Sequence, residues 1–154
     1  MTQPILPKAE AAALIDAQRI RTGTTWADLA QLIDAPAVWT TAALLGQHPL
    51  GAEQAEAIAR HLGFEGAERH ALVESLRAQP TRGGDQAAKN DPTIYRLHEA
   101  LSVYGPALKA LIHEEFGDGI MSAINFQVNL RRRPDPDGDR VVITLDGKFL
   151  DYRW

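Results

Sequence analysis

The chain has 154 residues, of which 45% are hydrophobic, a formal net charge of −4 and no cysteine. That length suits one ordinary domain or two small ones with a core. The negative balance argues against bulk attraction to nucleic acid or an anionic membrane, and the missing cysteine excludes disulfides, thiol catalysis and cysteine metal sites.

Met1 to Glu10 has neither a basic start nor a long apolar run, so no secretory signal is expected there. No stretch approaches the ~20 apolar residues needed to span a bilayer. A soluble cytoplasmic protein is the expectation. Lys8 to about Ile20 reads as a helix with Ala11, Ala12, Leu14, Ile15 and Ala17 on its apolar side, broken by Gly23-Thr24. Thr25 suits the cap of a second helix carrying Trp26, Leu29 and Leu32, and Asp28 completes a capping-box variant with Asp in place of Glu. Asp34-Ala35-Pro36 is a tight break, and a third helix follows over Pro36 to Leu45. Beyond Gly46, Pro49 and Gly51, a fourth helix holds Ala55, Ile58, Ala59 and Leu62, and a fifth covers about Ala67 to Leu76.

The second and third helices resemble a helix-turn-helix, which makes a DNA-binding regulator with a C-terminal dimerisation domain the main alternative to an enzyme. A recognition helix presents basic or amide side chains to base edges. Pro36 to Leu45 has no Lys, Arg, Asn or Gln. Residues 1–80 carry six basic side chains against nine acidic ones, so the phosphate-neutralising footprint is missing as well. The reading is a repressor-like helical bundle over 1–80 that serves packing and binds no nucleic acid. Gln79 to Asn90 is polar, with Pro80, Gly83 and Gly84, and residues 81–90 read as a linker.

The second domain spans 91–154. Asp91 and Pro92 read as a helix start, because Asp accepts from first-turn amides and Pro at the first helical position lacks only an N–H that has no use there. Gly105-Pro106 is expected to stop this helix and start another, with Gly117 as the cap of the second. At about 100° per residue, Ile94, Leu97, Ala100, Leu101 and Tyr104 share an apolar face. Arg96 and Glu99 are neighbours on a different face, beside Tyr95 and Val103. They are either a solvated ion pair or part of a surface that another element or subunit covers.

After Gly117-Asp118-Gly119 the period changes. Ile124, Phe126, Val128 and Leu130 alternate with Ala123, Asn125, Gln127 and Asn129, as in a half-buried strand. Ser122 is expected at its mouth. It is either a polar strand end or a donor beside a glycine turn that aims backbone amides at an anion. Arg131-Arg132-Arg133 reads as a solvated strand end next to the acidic turn Pro134 to Asp139. Val141 to Leu145 is a strand, Asp146-Gly147 a hairpin turn, and Lys148 to Trp154 a returning strand. The fold class is therefore α+β: a helical bundle followed by a small α+β domain with an antiparallel strand meander. Three short strands leave open edges, which points to oligomerisation. The five histidines form no metal spacing, and there is neither a phosphate-binding glycine loop nor a nucleophile elbow.

The second domain resembles the cyanase (cyanate hydratase) family. The resemblance is carried by Asp91 to Arg96, Glu99, Val103-Tyr104-Gly105, Leu108 to Leu111, Phe116 to Ile120 running into Ser122 to Phe126, and Val142 to Lys148. It covers nearly all of the C-terminal half at matching spacing. In the N-terminal half it extends to length and helical layout. It implies a lyase converting cyanate and bicarbonate into carbamate and carbon dioxide, with carbamate then giving ammonia and more carbon dioxide. Arg96, Glu99 and Ser122 are the catalytic residues it implies. Bicarbonate is a co-substrate, and no cofactor or metal is expected. The partners implied are further copies of the chain, in a ring-like homodecamer built from dimers whose active sites lie at subunit interfaces. A noncatalytic relative that keeps the fold is a third reading, opposed by the intact Arg96, Glu99 and Ser122.

Overall fold

The computed structural model describes residues 4–81 and 90–153, so residues 82–89 of the expected linker and Trp154 of the expected last strand lie outside the described residues. The chain divides into two compact units, Met1–Gly83 and Gly84–Trp154.

The first unit is a bundle of five helices: α1 (Lys8–Thr22), α2 (Trp26–Leu32), α3 (Ala37–Leu44), α4 (Ala52–His61) and α5 (Gly66–Arg77). Its elements end where local chemistry ends them. Gly23 takes φ 69°, and the Gly23 and Thr24 amides return to Ile20 and Arg19, closing α1 in a Schellman motif. Asp34 does the same for α2 at φ 50°, with its own amide on Gln31 and that of Ala35 on Ala30. Its short polar side chain tolerates the left-handed region better than most. The core is drawn from every helix: Ile15, Leu29, Leu44, Ile58, Leu62 and Leu72 are fully buried. On α4, Ala55, Ile58 and Ala59 recur at helical spacing on the buried side. Helix α3 buries Thr40, Ala43 and Leu44 in this bundle.

The capping box at α2 forms as expected. The Asp28 amide donates to Thr25 Oγ1 at 3.0 Å, and the Thr25 amide donates to Asp28 Oδ2 at 2.8 Å. The Thr25 backbone N–H, followed by its hydroxyl, holds the Asp28 carboxyl below its ordinary value. A lowered folded-state pKa contributes stability above the unfolded value and loses it as pH falls through the folded one. The wild-type chain should therefore keep a constant stability advantage over Asp28→Asn above roughly pH 5, and the gap should shrink below about pH 4. Urea titrations across this range would check it. A gap that widens on acidification would contradict the assignment.

The second unit comprises α6 (Pro92–Phe116), β1 (Gly119–Arg133) and β2 (Arg140–Asp151). Asp91 caps α6 as expected, its Oδ1 accepting from the amides of Thr93 and Ile94 at 2.8 and 3.0 Å. Gly117 closes it at φ 93°. The expected break at Gly105-Pro106 does not occur: α6 runs for 25 residues with Pro106 inside it. Proline's fixed φ is compatible with a helix, so its cost is one lost hydrogen bond and the ring's clash with the preceding turn. The Ala- and Leu-rich flanks keep the helix going on either side.

The strands form one antiparallel pair rather than a three-strand meander. Its loop is the acidic turn 134–139, where Asp135 Oδ1 accepts from the Asp137 amide at 3.1 Å and Oδ2 from Arg140 Nε at 3.2 Å. Asp146 and Gly147 sit inside β2, opposite Gln127 and Phe126, and make no turn. Gly147 is absent from the glycines at positive φ, the backbone state that a tight Asp-Gly turn requires.

Among the described residues of this unit only Gly119 and Ser122 are buried. The expected apolar face of α6 exists, but Leu97, Leu101 and Tyr104 on it are exposed, as are Tyr95, Val103, Leu108 and Leu111 elsewhere on the helix. These apolar side chains find no cover within the described residues of the unit.

Candidate active site

Arg96 and Glu99 lie on the second turn of α6 and meet there, Arg96 Nη1 donating to Glu99 Oε2 at 2.8 Å. The guanidinium carbon stands 5.6 Å from the centre of the Tyr95 ring. The two side chains are 70% and 50% exposed. A pair this open adds about 0–1 kcal/mol to stability. The guanidinium is a permanently charged, planar donor fork, here held by a carboxylate. Arg96 has four further N–H donors that no other described residue engages.

Ser122 is in a different setting, only 5% exposed. It does not stand at the mouth of the strand after a glycine turn, as expected. Gly119 is already paired with Asp151, and a Cβ on Gly119 would meet the Leu150 carbonyl oxygen and the Phe149 ring. Close backbone approach, rather than an amide-aiming turn, is why that glycine is there. Ser122 begins a break in register. Met121 faces Phe149 and Phe126 faces Gly147, so Ser122, Ala123, Ile124 and Asn125 stand against Lys148 alone. This is a large irregular bulge, and bulges re-aim side chains.

The serine organises the bulge. Its Oγ accepts from the amides of Ile124 and Asn125, both at 3.0 Å. A hydroxyl has two acceptor positions and one proton to donate. With both acceptor positions filled by N–H groups, the proton remains for an outside acceptor, and the two N–H dipoles polarise the O–H as a donor. Ile124, on the crest, is 99% exposed. The bulge itself was not legible in the sequence, where Ile124 continues the apolar alternation of Phe126 and Val128.

Among the described residues no hydrogen bond or ion pair links Arg96 or Glu99 to Ser122. An apolar hollow of about 330 Å³, lined by Ile112, Phe116, Met121, Leu145 and Phe149 among others, contains none of the three. It offers no cation to an anion. No group of three or more His, Asp or Glu among the described residues is arranged to hold a metal ion, and no helix is long and apolar enough to cross a membrane.

Comparison with known proteins places this geometry in context. Residues 8–75 match a family model described as cyanate hydratase, N-terminal, and residues 86–154 match the cyanate lyase C-terminal domain. The chain is 55% identical over 150 residues to a cyanate hydratase of Mycolicibacterium vanbaalenii, covering 97% of this chain and 95% of that one. It is 47% identical over 149 residues to a cyanate hydratase of Ralstonia pickettii, covering 96% and 99%. The crystal structure of cyanase from T. urticae superposes with a TM-score of 0.80 at 38% identity, covering 92% of this chain and 96% of that one.

Proposed function

Since this chain belongs to the cyanate hydratase family, we propose that it is a lyase that decomposes cyanate with bicarbonate as a recycled co-substrate. The observation that carries this is likeness to cyanate hydratases along nearly the whole chain. The DNA-binding alternative has no support: α3 carries no cationic or amide side chain, and the relatives are enzymes.

The reaction joins two small anions. A bicarbonate oxygen attacks the cyanate carbon and its proton passes to nitrogen, giving a mixed anhydride of carbamic and carbonic acids with two negative charges. Cleavage of the bond between the bridging oxygen and the carbonate carbon releases carbon dioxide. Uptake of one proton leaves carbamate, and a second proton carries carbamate to ammonia and carbon dioxide. The chemistry requires little beyond positioning and neutralising anions, which fixed donors do best in a water-poor site. It needs neither metal nor cofactor.

Arg96 supplies the charge and a fork that matches carboxylate-like oxygens. Glu99 orients that fork; the 2.8 Å bond between them supports this role over direct contact with a dianion. Ser122 donates its free hydroxyl proton. One guanidinium per chain is thin provision for two anions, and the single chain does not bring Arg96 to Ser122. The site is therefore completed by neighbouring copies in a homo-oligomer, a ring-like homodecamer built as a pentamer of dimers, whose contacts cover the apolar surface of α6. The enzyme works in the cytoplasm.

Ammonia release from cyanate, measured with and without added bicarbonate on carbon-dioxide-free enzyme, tests the reading. Release should depend on bicarbonate and saturate in both substrates. No release from a folded, assembled protein would overturn it, as would full turnover by a monomer.

A further inference from the structure

Gly147 lies opposite Phe126, at the point where regular pairing resumes after the bulge. Its backbone is outside the left-handed region, so conformation alone admits any residue there. Space does not. A Cβ at this position would stand 2.5 Å from the Ser122 carbonyl oxygen, 2.5 Å from Met121 Cγ and 3.0 Å from Phe126 Cδ2. Of these, Met121 is a flexible side chain that can retreat. The Ser122 carbonyl is backbone, fixed within the same bulge whose amides of Ile124 and Asn125 are bound to Ser122 Oγ. To yield, it must shift the backbone of the bulge that Ser122 anchors.

The geometry points to Gly147 as a positioning residue: the vacancy at its α-carbon seats the bulge and sets where the Ser122 hydroxyl aims. This rests on the reading of Ser122 as the anion donor. Strand β2 fixes the height and direction of that donor through a missing side chain. A methyl group at 147 would push the serine outward by several tenths of an ångström or more, and displacements approaching 1 Å in a reacting constellation cost about 10²-fold in rate.

The test is a double-mutant cycle on assembled enzyme, using ammonia release from cyanate and bicarbonate for wild type, Gly147→Ala, Ser122→Ala and the pair. Gly147→Ala should lower kcat by roughly 10- to 100-fold while leaving KM within about twofold. In the Ser122→Ala background the same change should cost less than about twofold, because the group it positions is already gone. Full turnover by Gly147→Ala, or losses that multiply in the pair, would overturn the proposal. If Gly147→Ala does not assemble, the cycle is run in a Met121→Ala background, which removes the side-chain clash and leaves the one with the Ser122 carbonyl. Failure to assemble there too would overturn positioning in favour of a plain folding requirement. A wild-type protein that releases no ammonia, or a fully active Ser122→Ala, would instead sink the reading of the site itself.

Discussion

Arg96→Ala should reduce bicarbonate-dependent ammonia release by about a thousandfold while costing the fold of each chain little stability. The two halves of this expectation come from one observation. The Arg96–Glu99 pair is 2.8 Å long but 70% and 50% exposed, and ion pairs in that setting contribute at most about 1 kcal/mol. A reaction that gathers two anions into a dianion loses far more when its fixed cation is removed, since a single preorganised donor is worth about 10² to 10³ in rate and a charged one more. Arg96→Lys sharpens the point. Lysine restores the charge but not the planar fork, so it should recover only part of the loss. Steady-state ammonia assays, beside urea unfolding of each variant, read both quantities. Undiminished turnover by Arg96→Ala would remove the arginine from the mechanism.

Ser122→Ala should be nearly as damaging to turnover, at about 10²- to 10³-fold, and should also disturb structure. The Oγ is the sole acceptor described for the amides of Ile124 and Asn125. Both residues are exposed, so water can reach the freed amides, and the penalty should stay near 1 kcal/mol rather than the larger cost of burying orphaned donors. Ser122→Thr keeps the oxygen and adds a methyl group at a position only 5% exposed. It should preserve the bulge better than its activity. Hydrogen exchange at Ile124 and Asn125 separates the effects: protection lost in Ser122→Ala and kept in Ser122→Thr is the expected pattern. Equal protection in all three proteins would mean that the serine does not hold the bulge.

What the sequence made legible is what short-range chemistry decides. The Thr25–Asp28 box, the Asp91-Pro92 start and the Gly117 stop each involve residues within four positions of one another, and each forms as read. The i,i+3 spacing of Arg96 and Glu99 put them in contact for the same reason. The misreadings arose where a local signal was outweighed, by neighbouring turns or by another strand. Whether Pro106 ends a helix depends on the strength of the turns around it, and Asp146-Gly147 mimics a hairpin signal that acts only at positive φ. The glycine there is required by Ser122, 25 positions away and on another strand. A bulge is a relation between two strands, so the four-against-one register at Ser122 leaves no local mark. The apolar faces of α6 were visible in the pattern, but their exposure was not, because a sequence does not say whether its own chain supplies the cover.

The uneven distribution of core between the units bears on how the protein is made. The bundle, synthesised first, buries Ile15, Leu29, Ile58 and Leu72 and so draws its core from its own residues. The second unit buries only Gly119 and Ser122 among its described residues and leaves α6 uncovered, so under the proposed assembly its packing is completed by other copies. In the proposed assembly, maturation of the second unit therefore depends on chain concentration, whereas that of the bundle does not.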